Sequence, residues 1–324
     1  MLTIISLPNG EIQNPDGTLS LFPPDGVQGV GRSVELRGSG VFIGTASIDT
    51  IFSFDEGSKI VFGLEDSDEF TGFGLGTTLF YGGSGDDNFT GGFGDDTVYG
   101  GVGVEALRGG DGNDLLFGQT AGDSIDGQMG NDTILGGEGD DFIRDESLPL
   151  EINLLYGGQG DDNLTAGAGN DSIWGDQGND NLQAGAGVDV LTGGSGFDVL
   201  IGGDLGIPPE GGAPSFPGDD TPDEFVLEVQ SDISFDLISD FEDGIDKFML
   251  PEGISFDDLA IAELSTDADI LNQISELPWI NAPTDVGIRL AQTGQLLAVL
   301  NGNIGDNPAI PVLASNQIDA EDFV

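Results

Sequence analysis

Large apolar residues recur at a nine-residue interval through the middle of the chain. Ile51, Val61, Phe70, Phe80, Phe89, Val98, Leu107, Leu116, Ile125, Ile134, Ile143, Leu155, Leu164, Ile173, Leu182, Leu191 and Leu200 fall in one column of this frame. Keeping the frame takes one extra residue near Ser53, one near Gly72 and three within Asp145–Tyr156. Each apolar residue is the centre of a three-residue run. Strand alternation turns the centre inward and its two neighbours outward. Between the runs lie glycine-rich stretches: GGSGDDNFT begins at Gly82, GGDGNDLLF at Gly109, GGEGDDFIR at Gly136 and GGQGDDNLT at Gly157. A nine-residue unit is too small to bury its own apolar face, so it stacks on copies of itself. The pattern predicts an all-β chain, with two repeats to each turn of a flattened parallel coil. This is a two-sheet, right-handed β-solenoid in which each repeat stacks on its second neighbour. An unbroken apolar column argues against a flexible glycine-rich linker.

The frame spans residues 44–206. Residues 1–43 hold short strand-like runs, Leu2–Leu7 and Ser33–Leu36, with turn signals at Asn9-Gly10 and Asp16-Gly17, and are expected to form a small N-terminal cap. Pro208, Pro209, Pro214, Pro217 and Pro222 lie among glycines and mark residues 207–222 as a linker or long loop. Residues 223–324 carry ordinary globular patterning and are expected to form a mainly β capping domain. Glu224–Val229 and Ser234–Phe241 look like strands, and Thr266 caps a predicted short helix running to about Leu277. Val286–Leu290 and Leu296–Leu300 flank Thr293-Gly294 as a hairpin.

The loop chemistry follows from the consensus Gly-Gly-x-Gly-x-Asp-x-U-x, with U apolar. Its second and fourth glycines include Gly83, Gly85, Gly92, Gly94, Gly110, Gly112, Gly158, Gly160, Gly167, Gly169, Gly185, Gly187, Gly194 and Gly196. Glycine reaches positive φ at little cost and lets backbone carbonyls point at a common centre. The sixth position is a carboxylate, and such oxygens are what a hard cation like Ca²⁺ takes, six to eight of them at roughly 2.3–2.6 Å. A cation between stacked loops draws oxygens from both. One edge of the coil carries Asp49, Asp68, Asp87, Glu105, Asp123, Asp141, Asp162, Asp180 and Asp198 at this position. The other carries Lys59, Thr78, Asp96, Asp114, Asp132, the irregular repeat 145–156, Asp171 and Asp189. Eight gaps between acids on the first edge and three on the second set a ceiling of about 11 Ca²⁺ ions. The two gaps nearest Asp49 lack the loop glycines. Glu105 is one methylene longer than Asp, which weakens two sites. Lys59 stands where a metal belongs; either its ammonium takes the metal's place or it points to solvent.

Composition agrees with cation binding and narrows the function. The chain has 59 acidic and 7 basic residues, a formal charge of −52. Self-repulsion on that scale opposes a compact state unless cations bind. It also disfavours nucleic acid and anionic membranes as partners. The absence of Cys excludes disulfides and thiolate chemistry; the absence of His excludes most zinc sites and histidine acid–base catalysis. No apolar run approaches the roughly 18 residues of a membrane span. The start, MLTIISLPNG, lacks the basic region and long apolar core of a Sec signal.

The nonapeptide resembles the calcium-binding repeat of RTX, or haemolysin-type, proteins. A second resemblance lies beyond it. DEFVLEV at Asp223 and FDLISDFEDGIDKFML at Phe235 are similar to the cap that follows the repeats in serralysin-type proteins. Asp223, Asp236, Asp240 and Asp246 match that segment's acidic positions. Glu321-Asp322-Phe323-Val324 resembles the terminal motif of type I secretion substrates. The resemblance implies export through a type I channel, unfolded and C-terminus first, and hence an extracellular location. The family's enzymes carry a protease or lipase domain ahead of the repeats, and about forty residues do not hold one. No GxSxG elbow and no HExxH are present. The reading is therefore a non-enzymatic, secreted, calcium-binding protein of a cell surface or matrix. The alternative is a carbohydrate-active enzyme, such as a lyase or epimerase, or a glycan-binding module built on the coil. Arg108 and Arg144 lie outward on one face for such a role, but each is expected to pair with nearby carboxylates. Ice binding needs flat Thr or Asn ladders, which Ser84, Phe93, Val102, Asp111, Thr120, Met129 and Glu138 at the third loop position do not form.

One face carries an outward aromatic stripe at the ninth position: Phe62, Tyr81, Tyr99, Phe117, Tyr156 and Trp174, interrupted by Leu135. Such a stripe exceeds the few hundred Å² of apolar patch usual on a monomer. The N-terminal segment or the C-terminal domain is expected to cover it, with a second subunit or a surface glycan as the next candidates.

Overall fold

The computed structural model describes residues 32–36, 39–44, 47–145, 150–203, 222–229, 235–238, 241, 245–263, 286–300 and 320–323. Among them there is no α-helix, and two parallel sheets form a β-solenoid. No helix among the described residues is long and apolar enough to cross a membrane. The chain forms two compact units, residues 1–160 and 161–324.

In the first unit, successive strands alternate between two sheets. One sheet runs Arg32–Leu36, Asp49–Ser53, Glu69–Gly72, Asn88–Thr90, Ala106–Asp111, Ser124–Met129 and Phe142–Arg144, every neighbour parallel. The other runs Gly40–Ile43, Lys59–Glu65, Thr78–Ser84, Thr97–Val102, Leu115–Thr120, Thr133–Glu138 and Leu154–Gln159, again parallel throughout. Leu116 pairs with Val98 on one side and Ile134 on the other, so each repeat lies against its second neighbour. This register gathers the apolar centres into one column, and every predicted column residue is at most 1% exposed. Burying a Leu, Ile, Val or Phe side chain stabilises by roughly 1.5–3 kcal/mol, so the column is the main stabilising element of the coil. Phe70, Phe80 and Phe89 fill it early, with the Phe70 and Phe89 rings stacked at 5.1 Å. The two single insertions are tolerated because they fall in adjacent turns, where Ser53 pairs with Gly72. The three-residue insertion leaves the register intact, with Ile134 against Leu155.

In the second unit, Asn163–Ala168, Asn181–Ala186, Val199–Ile201, Asp236–Ile238 and Leu296–Leu300 form a parallel series. Val286–Leu290 and Leu259–Glu263 extend it antiparallel. The opposing sheet runs Ser172–Gln177, Val190–Ser195, Glu224–Val226 and Lys247–Met249. The strands after residue 206 thus continue both sheets, and Phe225, Ile238 and Phe248 are fully buried like the repeat centres. Val286–Leu290 and Leu296–Leu300 form the expected hairpin, with Gly294 at φ +74° in its turn. Phe323 forms a parallel bridge to Phe248, and their rings lie 5.2 Å apart. The helix expected from Thr266, residues 1–31 and residues 207–221 lie outside the described residues.

Candidate metal-binding loops

The loops between strands owe their shape to backbone that only glycine adopts freely. Gly83, Gly85, Gly110, Gly112, Gly158, Gly160, Gly167, Gly169, Gly185, Gly187, Gly194 and Gly196 all have φ between +100° and +144°, or close to it at +145° for Gly187. Where glycine is missing at these positions, Leu64, Asp66, Gln119, Ala121, Gln128 and Asp176 still take positive φ, so the stacked turns impose the conformation. Gly92 and Gly94 differ: neither is among the positive-φ glycines. They are required for close approach instead, since a Cβ would meet the Gly74 carbonyl from one and the Leu75 carbonyl from the other.

The sixth-position acids point inward and are buried. In the first unit, Asp68, Asp87, Asp123 and Asp141 stack on one edge, and Asp96, Asp114 and Asp132 on the other. Each uses Oδ1 to accept the backbone N–H of the residue one turn earlier. The Asp49 N–H donates to Asp68 and the Asp68 N–H to Asp87, both at 2.7 Å. The Asp96 N–H donates to Asp114 and the Asp114 N–H to Asp132, also at 2.7 Å. In the second unit the Asp162 N–H donates to Asp180 and the Asp180 N–H to Asp198, both at 2.8 Å. The Asp171 N–H donates to Asp189 at 2.7 Å.

The second oxygen is different. Oδ2 of Asp68, Asp87, Asp96, Asp114, Asp123, Asp132, Asp180 and Asp198 is buried and accepts no hydrogen bond. For Asp68, Asp87, Asp96, Asp114, Asp123 and Asp180 it lies over the first glycine of its own loop, beside the carbonyl of the matching residue one turn later; at Asp132 the neighbouring oxygen is Asp145 Oδ2 instead. A Cβ on Gly109 would overlap both Asp114 Oδ2 and the Gly127 carbonyl; at Gly175 it would overlap Asp180 Oδ2 and the Gly193 carbonyl. Carboxylate and carbonyl oxygens from successive turns therefore converge where no donor reaches them. No three carboxylates gather at one point among the described residues, so the donor set is mixed. A buried, unpaired carboxylate oxygen is costly unless a cation or proton meets it. Burial pushes Asp114 and Asp180 up to about 8, Asp68 and Asp96 to about 7, and Asp87, Asp132 and Asp198 to about 6. Hard oxygen donors in this arrangement fit Ca²⁺.

Departures from the consensus have visible consequences. Glu105 breaks the ladder: its longer chain leaves both carboxyl oxygens without a donor, and burial with Asp123 alongside pushes it to about 9. Lys59 turns inward and is buried; its ammonium bonds Asp55 Oδ1 at 2.7 Å and the Gly57 carbonyl. A covalent cation thus occupies that loop. In the irregular repeat, Asn153 takes the acid's place and accepts the Asp132 N–H at 2.8 Å.

Three positions in the acid rows escaped the repeat reading. Asp223, Asp236 and Asp246 continue the sixth-position rows. The Asp189 N–H donates to Asp223 at 2.9 Å, and the Asp223 N–H to Asp246 at 3.0 Å. The signal was present as an acid two residues before a buried apolar residue, without the loop glycines. A fifth-position ladder was also missed: Asp95 accepts the Asn113 N–H at 2.9 Å, and Asn113 accepts the Asn131 N–H at 3.0 Å.

The aromatic stripe is a stack. Phe62, Tyr81, Tyr99 and Phe117 lie 4.8–4.9 Å apart with ring planes within 5°. Their faces are turned to one another and the rings are half-buried. Tyr81 and Tyr99 therefore have both faces taken by neighbouring rings. On the opposite face Arg144 pairs with Asp126 at 2.7 Å, and Arg108 lies next to Asp126 in register.

The RTX calcium-binding nonapeptide repeat matches residues 74–104, 81–116, 108–143, 152–182 and 183–204. Among curated proteins none matches the chain. The matched segments coincide with the stacked glycine–aspartate loops, and residues 74–143 and 152–204 are RTX calcium-binding nonapeptide repeats folded as a β-solenoid.

Proposed function

We propose that this is a secreted protein that folds on binding Ca²⁺ outside the cell and acts without catalysis, as a surface or matrix component. The observation that carries the reading is the row of buried carboxylate oxygens left without donors beside converging carbonyls. The ligands are the sixth-position acids from Asp87 to Asp198, with Glu105 the weakest, and carbonyls of the loops built on the paired glycines. Asp49 and Asp68 hold a poorer site, because their loops lack those glycines. In low free Ca²⁺ the stacked carboxylates, roughly 4.8 Å apart, repel and keep the chain unfolded. That state suits passage through a type I channel, a route also supported by the resemblance of Glu321-Asp322-Phe323-Val324 to a motif of its substrates. Outside, sites with Kd as weak as ~10⁻⁴–10⁻³ M would fill and stabilise the coil by mass action. A chain without His or Cys, whose buried carboxylates face loops rather than a cleft, favours binding over catalysis.

The test is calorimetric titration of the full chain with Ca²⁺ after exhaustive chelation. Several ions bound per chain, with heat that includes a folding transition, support the reading. Absence of binding at millimolar Ca²⁺ refutes it.

A further inference from the structure

Asp236 stands outside the nonapeptides, yet it lies in the same row as their acids. Val199 pairs with Leu237 and Leu200 with Ile238, which sets Asp236 directly after Asp198. The Leu237 N–H donates to the Asp198 carbonyl at 2.7 Å, fixing this register. Its side chain differs from the aspartates of the ladder, such as Asp114 and Asp180, where Oδ1 accepts a backbone N–H and only Oδ2 lacks a donor. At Asp236 both oxygens are buried and neither accepts a hydrogen bond, and the residue is 1% exposed. The Asp198 Oδ2 is also without a donor, and the two carboxyls lie against each other. Glu228 adds a third negative charge that acts on both. Burial pushes the Asp236 carboxyl well above its usual range, with Asp198 adding to it. Two facing carboxyls in a dry site with no donor need a bridging cation or a shared proton.

We propose that Asp198 and Asp236 form a divalent-cation site, filled by Ca²⁺, that clamps the strand Asp236–Ile238 onto the last repeat. The proposal rests on the calcium reading of the repeats and extends it to a residue that no repeat contains. Its effect differs from that of a site within the repeats. Repeat acids on one edge are 18 residues apart in regular turns, as Asp180 and Asp198 are. Asp198 and Asp236 are 236 − 198 = 38 apart. A cation joining them closes a longer loop, which a flexible chain closes at greater entropic cost. The strand it holds is the one on which Leu296–Leu300 and then the hairpin are built. The clamp therefore governs whether the C-terminal strands dock at all.

The test uses the full chain and two isosteric variants, Asp236→Asn and, as a control within the repeats, Asp114→Asn. Calcium stoichiometry is measured by calorimetry, and local stability by amide hydrogen exchange in saturating Ca²⁺. Asp236→Asn is expected to bind one ion fewer than the parent. It is also expected to lose at least about tenfold in amide protection at Leu237–Ile238 and Leu296–Leu300, with Leu115–Thr120 unchanged. Asp114→Asn is expected to lower the stoichiometry while leaving protection at Leu296–Leu300 unchanged. If Asp236→Asn retains the parent's stoichiometry, the two carboxyls share a proton and the proposal fails. If it does not fold, crystals of the parent grown in Ca²⁺ decide: anomalous density between Asp198 and Asp236 supports the site, and its absence overturns it. A parent chain that binds no Ca²⁺ at all would instead overturn the reading of the repeats.

Discussion

Asp114→Asn is expected to act in opposite directions with and without calcium. Asp114 Oδ1 accepts the Asp96 N–H, and the Asp114 N–H donates to Asp132, both at 2.7 Å. Asparagine keeps both bonds. What changes is Oδ2, which becomes an amide N–H₂ in the same space as the Gly127 carbonyl. Without metal, burial, then Asp132 and Asp96, push the Asp114 carboxyl from 3.8 up to about 8. Near pH 7 the folded chain holds it protonated while the unfolded chain ionises it. At 1.36 kcal/mol per pH unit this opposes folding by up to about 4 kcal/mol, which the amide removes. With calcium, Asp114 borders two gaps, toward Asp96 and toward Asp132. A site at 100-fold excess of ligand over Kd adds about 2.7 kcal/mol, so losing two costs about 5 kcal/mol. The assay is far-UV circular dichroism in chelator, and urea unfolding in about 10 mM Ca²⁺, 100-fold above a Kd of ~10⁻⁴ M. More β-structure than the parent in chelator and a lower urea midpoint in calcium are expected. A variant no less stable than the parent in calcium would refute the ligand role of Asp114.

Acid should substitute in part for calcium. Asp114 and Asp180 are raised to about 8, and Asp68 and Asp96 to about 7. Because folded values lie above unfolded ones, their contribution to metal-free stability is complete below about 4 and is lost as pH rises through about 7–8. Circular dichroism in chelator should show β-structure near pH 5 that disappears by about pH 8; an unchanged spectrum would contradict this. Leu116→Ala, at a fully buried centre between Val98 and Ile134, should cost about 2–5 kcal/mol in saturating calcium, measured by urea unfolding. Tyr99→Ala removes two stacked contacts, at 4.9 and 4.8 Å, and should cost about 1–3 kcal/mol in the same assay.

The period was legible because packing enforces it. A polar residue at Leu116 or Ile134 would sit fully buried in the column, so the apolar frame persists even where loop glycines are lost, as at Val61 and Phe70. The loop acids were legible for the same reason: Asp87 and Asp180 each pair with the turn before. The strands after residue 206 were harder to place. Phe225, Ile238 and Phe248 lie in line with the repeats, but chain of irregular length separates them, so no fixed period points to Asp223, Asp236 or Asp246. The fate of Lys59 was also open, since a lysine stem reaches either solvent or a loop centre. Asp55 and the Gly57 carbonyl provide the partners that draw it inward. Outward aromatics at period eighteen gave away the stripe, but not that each ring would use its faces on the next.

The most direct measurement is circular dichroism of the full chain, with a thermal melt, in chelator, in Mg²⁺ and in Ca²⁺ at about pH 7.5, above most of the raised carboxyl values. Calcium-driven folding predicts a disordered spectrum without a cooperative melt in chelator, little change in Mg²⁺, and a β-spectrum with a cooperative melt in Ca²⁺. A chain that keeps its full β-spectrum and its melting point in chelator would contradict it.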